Sequence, residues 1–294
     1  MRRVAARRVI VSRALLVLGI LVVAYDWWLL TTTGGSPVDA HAYWIADPNN
    51  LYPHPELLQH NGYIYSPAFE LIVGWARLVP FEVFVAVWRA LLLATLVWLA
   101  GPFTIIVIFL PPVASEINAG NIQILLAAAI VIGFRYPGTW AFVLLTKVSP
   151  GIGLLWFAMR RQWRALAWAL GLAVVIVAVL VVLWPDRWVA YLRLLTAGSP
   201  PPVPPYNLSI WVRLPVAVAF VVLGGWRGWR WPVVVGATLA LPLFYFLSPS
   251  MFTGVLPYLR VSLGRLIDGE PLSAITGRTL PAQASSESGA ILGT

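Results

Sequence analysis

Long apolar runs separated by short polar breaks dominate the chain, and they predict a bundle of membrane-spanning helices. The runs at 14–30, 81–100 and 165–184 each approach the roughly 20 residues that an α-helix needs to cross a bilayer. Shorter apolar runs lie at 103–114, 122–134, 210–225, 231–247 and 251–263. The predicted fold class is therefore an all-α polytopic membrane protein with about eight transmembrane helices.

Two polar stretches interrupt this pattern. Residues 31–80 are rich in Pro, Asn, His and Tyr, and they predict a long first external loop between the first two crossings. After residue 269 the chain is polar and lacks apolar periodicity, which is typical of disorder. We therefore expect one transmembrane domain over residues 1–268, which includes the loop, and a disordered cytoplasmic tail over residues 269–294.

Composition excludes an ordinary soluble domain. Hydrophobic residues make up 60% of the 294 positions and charged residues only 11%, against roughly a quarter charged in a typical soluble protein. The chain has no cysteine, which excludes disulfides, thiolate metal sites and thiol nucleophiles.

The net charge of +9 comes from arginine, since Lys147 is the only lysine. Five arginines precede the first apolar run and, by the positive-inside rule, predict a cytoplasmic N-terminus. No small-residue cleavage signal follows that run, so we expect a retained helix rather than a removed signal peptide. The arginines concentrate at the ends of the apolar runs instead of forming one stripe, which disfavours a nucleic-acid binder.

The segment 139–159 predicts a broken helix. A single crossing here places Arg160, Arg161 and Arg164 outside, against the positive-inside rule. The sequence Lys-Val-Ser-Pro-Gly at 147–151 interrupts the apolar run and offers a different path, a re-entrant hairpin of two half-helices that returns to the cytoplasmic side. Broken helices of this kind are tolerated in a membrane where they line a protein cavity.

Asp39 is the strongest candidate for an acid–base residue. It follows the first apolar run by nine residues and begins the sequence Asp-Ala-His-Ala-Tyr-Trp, which brings His41 and Tyr43 near it. A carboxylate at the lipid–water boundary can accept a proton from a hydroxyl nucleophile. The alternative is that Asp39 is a solvated loop acid or a helix N-cap.

Three basic residues that the predicted topology does not place on the cytoplasmic side are candidate phosphate ligands. Lys147 stands before the proline break, where an ammonium can hold a phosphate as a point charge; the alternative is a snorkelling side chain. Arg89 and Arg213 lie within apolar runs. We expect these arginines either to bind further oxygens of the same phosphate or to form structural ion pairs, for example with Glu116.

A polar cluster between two apolar runs predicts a site for sugar hydroxyls. It comprises Glu116, Asn118, Asn121 and Gln123, which alternatively only cap helix ends. The three histidines, His41, His54 and His60, have spacings that match no helical ligand pair, so we expect no metal site and no bound cofactor.

In four places the sequence resembles glycosyltransferase family 87, whose members are membrane enzymes of GT-C fold. The first external loop has Val-Asp at 38–39, Tyr43, Asn-Leu-Tyr at 50–52 and Tyr-Ile-Tyr-Ser-Pro at 63–67. Gly-Asn-Ile-Gln at 120–123 is similar to a G-Q-x-N motif, and Lys-Val-Ser-Pro at 147–150 to a K-x-x-P motif followed by a basic-aromatic turn. The fourth place has Trp188, Tyr191, Asn207 and, behind them, Arg213.

The resemblance implies an inverting sugar transfer outside the bacterial cytoplasmic membrane. The donor is a polyprenyl-phosphate sugar, with mannose favoured and arabinofuranose as the alternative, and the acceptor is a glycolipid or glycan. Asp39 is the implied base, and Lys147 with Arg213 and Arg89 the implied ligands of the leaving phosphate. The implied sugar or acceptor ligands are His41, Tyr43, Tyr65, Glu116, Asn121, Gln123 and Asn207.

Two departures from the family pattern keep other functions open. Asn121 and Gln123 stand in swapped order, and Ser-Pro at 248–249 lacks the Trp and His that commonly follow it; no histidine occurs after His60. An inactive family member that partners another glycosyltransferase, or a polyprenyl-lipid carrier or flippase, therefore remains an alternative.

Overall fold

The computed structural model describes residues 37–53, 62–196, 208–244 and 246–267, and it gives side chains as far as residue 261. In these residues the chain is helical and forms no strand. The predicted first crossing at 14–30, the tail at 269–294, and the residues His54, His60 and Asn207 lie outside the described residues.

Thirteen α-helices follow one another in the described part of the chain. We number them α1 (Val38–Trp44), α2 (Pro67–Val73), α3 (Phe81–Ala100), α4 (Thr104–Val107), α5 (Pro111–Ala119), α6 (Gln123–Gly133), α7 (Thr139–Thr146), α8 (Leu155–Met159), α9 (Trp163–Leu183), α10 (Pro185–Thr196), α11 (Ile210–Arg227), α12 (Trp231–Leu239) and α13 (Leu256–Ile267). Four 3₁₀ segments join them, at Gly74–Leu78, Gly101–Phe103, Ser149–Leu154 and Ser248–Val255.

Three stretches are long and apolar enough to cross a membrane. They are Phe81–Val107, Trp163–Leu183 and Ile210–Arg227. A fourth is formed if α5 and α6, bent by 104° at their junction, make one broken span. The all-helical prediction is thus confirmed, while the count of about eight crossings stays a prediction.

Proline and glycine divide several of the predicted helices. The run at 103–114 is split, because Pro111 starts the new helix α5 and cannot donate to the turn before it. The run at 231–247 is helical only through Leu239, shortly before Pro242. The last predicted helix begins as the 3₁₀ segment Ser248–Val255 and becomes α-helical at Leu256.

The segment 139–159 turns back on itself at Lys147. Trp140, near the start of α7, packs against Phe157, near the end of α8, with ring centroids 6.2 Å apart. Helix α7 ends at Thr146, Lys147 adopts an extended backbone, and the 3₁₀ segment that contains Pro150 leads into α8. The two short helices therefore begin and end at the same end of the bundle, with Lys147 at the far tip.

The core is a continuous cluster of apolar side chains between α3, α6, α7 and α12. Small residues let the helices approach closely: a Cβ on Gly236 of α12 would lie 2.6 Å from the Ala217 carbonyl oxygen of α11. Helices α6 and α7 lie side by side in this core, and the Thr139 hydroxyl of α7 donates to the Ala129 carbonyl of α6 at 2.8 Å. Their ends near residues 123 and 147 meet α1 and the loop, and this is where the candidate site lies.

Candidate active site

Helix α1 places Asp39 at the edge of the core. Three of its residues, Ala40, Ala42 and Tyr43, are buried, and Tyr43 packs edge-to-face on Phe69 and Trp88 at centroid distances of 5.4 and 5.5 Å. Asp39 precedes this buried face and is itself partly exposed. The apolar side chains of α1 thus fix the helix, and the carboxylate projects beside them.

A tight turn brings Asn121 to Asp39. Helix α5 ends at Ala119 and is capped by Gly120, whose φ of +71° suits glycine, and α6 begins at Gln123. The Trp88 indole N–H donates to the Gly120 carbonyl at 2.7 Å and holds the turn against α3. The Asn121 side chain is hydrogen-bonded to Asp39, and its Oδ1 also accepts from the Ile122 amide at 2.6 Å.

The Asp39 carboxyl is in an unusual electrostatic environment. Burial raises its pKa above the ordinary value, and the charge of Lys147 and the hydrogen bond from Asn121 lower the pKa in part. A carboxylate with a raised pKa is a better proton acceptor than an exposed aspartate, as long as it stays ionised. Asp39 therefore has the properties of a general base.

Lys147 reaches the same place from the tip of the α7–α8 hairpin. Its ammonium nitrogen lies 5.8 Å from the centre of the Tyr65 ring, and its charge acts on both Asp39 and Glu116. In the described part of the chain it forms neither a hydrogen bond nor a direct ion pair. The three N–H donors of the ammonium are thus available for an anionic ligand.

Tyr65 links Lys147 to Tyr43 and Asn121. Its hydroxyl accepts from the Tyr43 hydroxyl at 3.1 Å and lies 3.5 Å from the Asn121 Oδ1. The next residue, Ser66, donates to the carbonyl of Leu145 just before the hairpin tip. The loop and the hairpin are therefore tied together where the acid and the ammonium face each other.

Glu116 and Gln123 close the buried side of the cluster. Glu116 is fully buried, and one carboxylate oxygen accepts from the Gln123 amide at the start of α6. A carboxylate at this position satisfies a free N–H of the helix and suits its dipole. The other oxygen, Oε2, and the Gln123 Oε1 are buried and have no hydrogen-bond partner among the described residues, so both can accept from a ligand hydroxyl.

The two arginines predicted to bind phosphate have other contacts. Arg213 donates through Nε to the Leu208 carbonyl, through Nη1 to the Leu239 and Leu241 carbonyls, and through Nη2 to the Pro242 carbonyl, at 2.6 to 3.3 Å. It thus satisfies free carbonyls at the C-terminal end of α12.

Arg89 makes similar contacts in a different place. It donates to the Ile117 carbonyl at 3.1 Å and to both the backbone and side-chain oxygens of Asn118. These contacts stabilise the C-terminal end of α5. The geometry therefore favours a structural role for both Arg89 and Arg213.

His41 is not brought to the cluster. It follows Asp39 by two helical positions, about half a turn, and so lies on a different side of α1. Its ring packs on Phe81 with the ring centroids 5.4 Å apart. The contacts of His41 are aromatic, and they hold α1 against the start of α3.

Comparison with known proteins decides the family. The sequence model of glycosyltransferase family 87 matches residues 63–263, which is more than half of the chain. The match contains Tyr65, Glu116, Asn121, Gln123 and Lys147, and it leaves out Asp39 and Tyr43. The chain belongs to glycosyltransferase family 87. No curated protein and no solved structure matches it.

Family 87 membership agrees with the apolar helices, and together they make this protein a membrane glycosyltransferase. The family match begins at Tyr63, so the position of Asp39 in the cluster rests on the structure. Among the described residues, no group of three or more His, Cys, Asp or Glu side chains is arranged to hold a metal ion.

Proposed function

We propose that this family 87 protein transfers a sugar from a polyprenyl-phosphate donor to a hydroxyl of a glycolipid or glycan acceptor, with inversion at the anomeric carbon. Mannose is the favoured sugar and arabinofuranose the alternative. The observation that carries the proposal is the pairing of Asp39 with Lys147: a carboxylate of raised pKa faces an ammonium that has no direct ion-pair partner among the described residues.

The proposed reaction uses each of these two groups once. Asp39 accepts the proton of the acceptor hydroxyl while the acceptor oxygen bonds to the anomeric carbon. The bond between that carbon and the phosphate oxygen breaks, and the lipid phosphate leaves with the electron pair. Lys147 places positive charge where this negative charge develops, which lowers the barrier. No cofactor takes part in this scheme.

The buried oxygens next to the pair fit a sugar. Glu116 Oε2 and Gln123 Oε1 are acceptors without a partner among the described residues, and sugar hydroxyls are donors. Tyr65 and Tyr43 add an aromatic wall to the same site. We assign these four residues and Asn121 to sugar or acceptor binding, and we leave Arg89, Arg213 and His41 out of the site because of their other contacts.

The proposed topology places the site at the outer face of a bacterial cytoplasmic membrane. About eight crossings, with the N-terminus in the cytoplasm, bring Asp39 and the tip of the α7–α8 hairpin to the outside. The arginines that follow α6, α8 and α11 then lie inside, in agreement with the positive-inside rule.

The test is transfer of radiolabelled mannose from polyprenyl-phosphate mannose to membrane acceptors by the purified full chain. We expect product with the wild type, a loss of about 10²- to 10⁴-fold with Asp39→Asn, and wild-type activity with the exposed control Asp186→Asn. Equal activity of Asp39→Asn and wild type excludes Asp39 as the base.

Two outcomes favour a different function. Transfer only from the arabinofuranose donor changes the substrate and leaves the mechanism intact. Transfer from neither donor, together with lipid binding, favours an inactive partner of another glycosyltransferase or a lipid carrier, which the absence of a histidine after His60 also supports.

A further inference from the structure

Six arginines gather at the end of the bundle opposite Asp39. They lie at or next to the ends of helices α6, α8, α9, α11 and α12, and five of them are exposed. We call this set the arginine end; it consists of Arg135, Arg160, Arg161, Arg164, Arg227 and Arg230.

Contacts between the helix ends show that these arginines share one surface. Phe134, at the end of α6, packs on Trp156 of α8 with centroids 4.9 Å apart. The Trp156 indole N–H donates to the Trp229 carbonyl between α11 and α12 at 3.1 Å. A Cβ on Gly225 of α11 would lie 2.7 Å from the Met159 sulfur. The chain ends that carry the arginines are therefore packed side by side.

Aromatic rings position three of the guanidinium groups. Arg230 lies 5.4 Å from the centre of the Phe134 ring and 6.0 Å from that of Trp156. Arg227 lies between Trp226 and Trp229, at 4.6 and 5.6 Å. Arg135 lies over the ring of the following tyrosine at 5.4 Å. Stacking of this kind restricts a guanidinium and leaves its N–H donors, which lie in the guanidinium plane, free to bind.

The arginine end has no negative charge of its own in the described residues. None of its six side chains forms a hydrogen bond or an ion pair with another described residue. The six described carboxylates belong to α1, the first loop, α2, α3, α5 and α10, and none lies on the helix ends that form this surface. Five exposed positive charges therefore face outward at helix ends that carry no carboxylate among the described residues.

We propose that the arginine end binds the phosphate headgroups of anionic phospholipids. Guanidinium groups bind phosphate through paired N–H donors, and basic surfaces next to membrane helices attract acidic lipids at about 1 kcal/mol per residue. Trp163 and Trp226 are 61% and 70% exposed at the same end, and indole rings of this kind settle at headgroup level. This inference concerns a different surface from the sugar-transfer site and does not depend on the proposed function.

Native mass spectrometry of the detergent-purified full chain tests the inference. Phosphatidylglycerol and phosphatidylcholine are titrated separately, and the dissociation constants of the first bound lipids are compared. We expect phosphatidylglycerol to bind at least tenfold more tightly. Arg164→Gln and Arg227→Gln each remove an exposed charge, and each should weaken its binding about fivefold, which corresponds to 1 kcal/mol.

Arg193→Gln is the matched control, because Arg193 is an exposed arginine on α10 at the other end of the bundle. It should leave phosphatidylglycerol binding unchanged. Circular dichroism and size-exclusion chromatography show whether each variant keeps the wild-type fold. A variant that fails this check is replaced by Arg160→Gln, which removes another exposed charge of the same set.

Three results overturn the inference. Equal affinity for the two lipids removes the preference for anionic headgroups. An equal loss in Arg193→Gln and Arg227→Gln shows a response to net charge alone. Tight binding of a short RNA that phosphatidylglycerol does not displace assigns the surface to nucleic acid instead.

Discussion

The ammonium of Lys147 lies over the ring of Tyr65, although the two residues are 82 positions apart in the sequence. Tyr65 belongs to the first loop and Lys147 to the tip of the α7–α8 hairpin. Since a cation over an aromatic face is attracted by the ring quadrupole, this contact orients the only lysine toward Asp39 without neutralising its charge.

Removal of the ammonium should affect the departure of the donor phosphate. We expect Lys147→Gln to lower kcat by about 10²- to 10³-fold, the usual effect of losing one charge-stabilising donor. Lys147→Arg keeps the charge and should retain part of the activity. Steady-state kinetics with polyprenyl-phosphate sugar measures both variants, and Arg193→Gln serves as the control. Full activity in Lys147→Gln would contradict the assignment of Lys147 to the leaving phosphate.

The pH profile should report the hydrogen bond between Asn121 and Asp39. This bond lowers the pKa of the carboxyl, so its removal in Asn121→Ala raises that pKa further. A base must be deprotonated to accept a proton, so activity is lost as the pH falls through the pKa of Asp39. The acid limb of kcat/KM should therefore move to higher pH in Asn121→Ala and stay in place in the exposed control Asn50→Ala. An acid limb that stays in place or moves to lower pH in Asn121→Ala speaks against Asp39 as the titrating group.

A methyl group at Gly120 should displace helix α1. The backbone there has a φ of +71°, and an added Cβ would lie 2.7 Å from the Ala40 Cβ, next to Asp39. We expect Gly120→Ala to lower both transfer activity and the thermal denaturation midpoint, since it combines backbone strain with a steric clash. The control is Gly171→Ala on α9, where a Cβ meets nothing within 4 Å and should be tolerated. Equal activity and equal denaturation midpoints in the two variants would show that α1 can shift to accommodate the added methyl group.

We expect Arg213 to contribute more to the stability of the fold than to binding of the sugar donor. Arg213→Met removes hydrogen bonds to four backbone carbonyls, and we expect it to cost about 2 kcal/mol or more in unfolding free energy. A thermal denaturation series in detergent measures this loss, and the KM for the donor should change little in the protein that remains folded. A large rise in KM at unchanged stability would return Arg213 to the phosphate site, as the sequence predicted.

The sequence predicted much of the cluster because the chemistry of its members is rare in an apolar chain. A lone lysine before a proline, an acid beside the first apolar run and amides after Gly120 each need a polar environment. The structure places Lys147, Asp39, Asn121, Gln123 and Glu116 close together. The sequence does not give the distances between these residues, because those distances are set by the contacts of the fold.

Buried groups that backbone oxygens can satisfy were harder to assign from the sequence. A buried arginine that binds helix carbonyls and one that binds phosphate share the same sequence pattern, so the roles of Arg89 and Arg213 were open until their partners were seen. His41 shares α1 with Asp39, but the two side chains lie on different sides of the helix and therefore have different neighbours. The contact between Ser66 and Leu145, which ties the loop to the hairpin, had no signal in the sequence beyond the Tyr-Ile-Tyr-Ser-Pro motif.

The position of Lys147 at a hairpin tip has a consequence for biosynthesis. A ribosome makes Asp39 and Tyr65 long before Lys147, so a growing chain carries the acid without its cation until the hairpin has folded back. A truncated or half-inserted product therefore contains a carboxylate in an apolar setting with no positive charge opposite it. The hairpin must therefore dock on the loop before the two groups face each other, and a shorter chain lacks the acid–ammonium pair that we propose for sugar transfer.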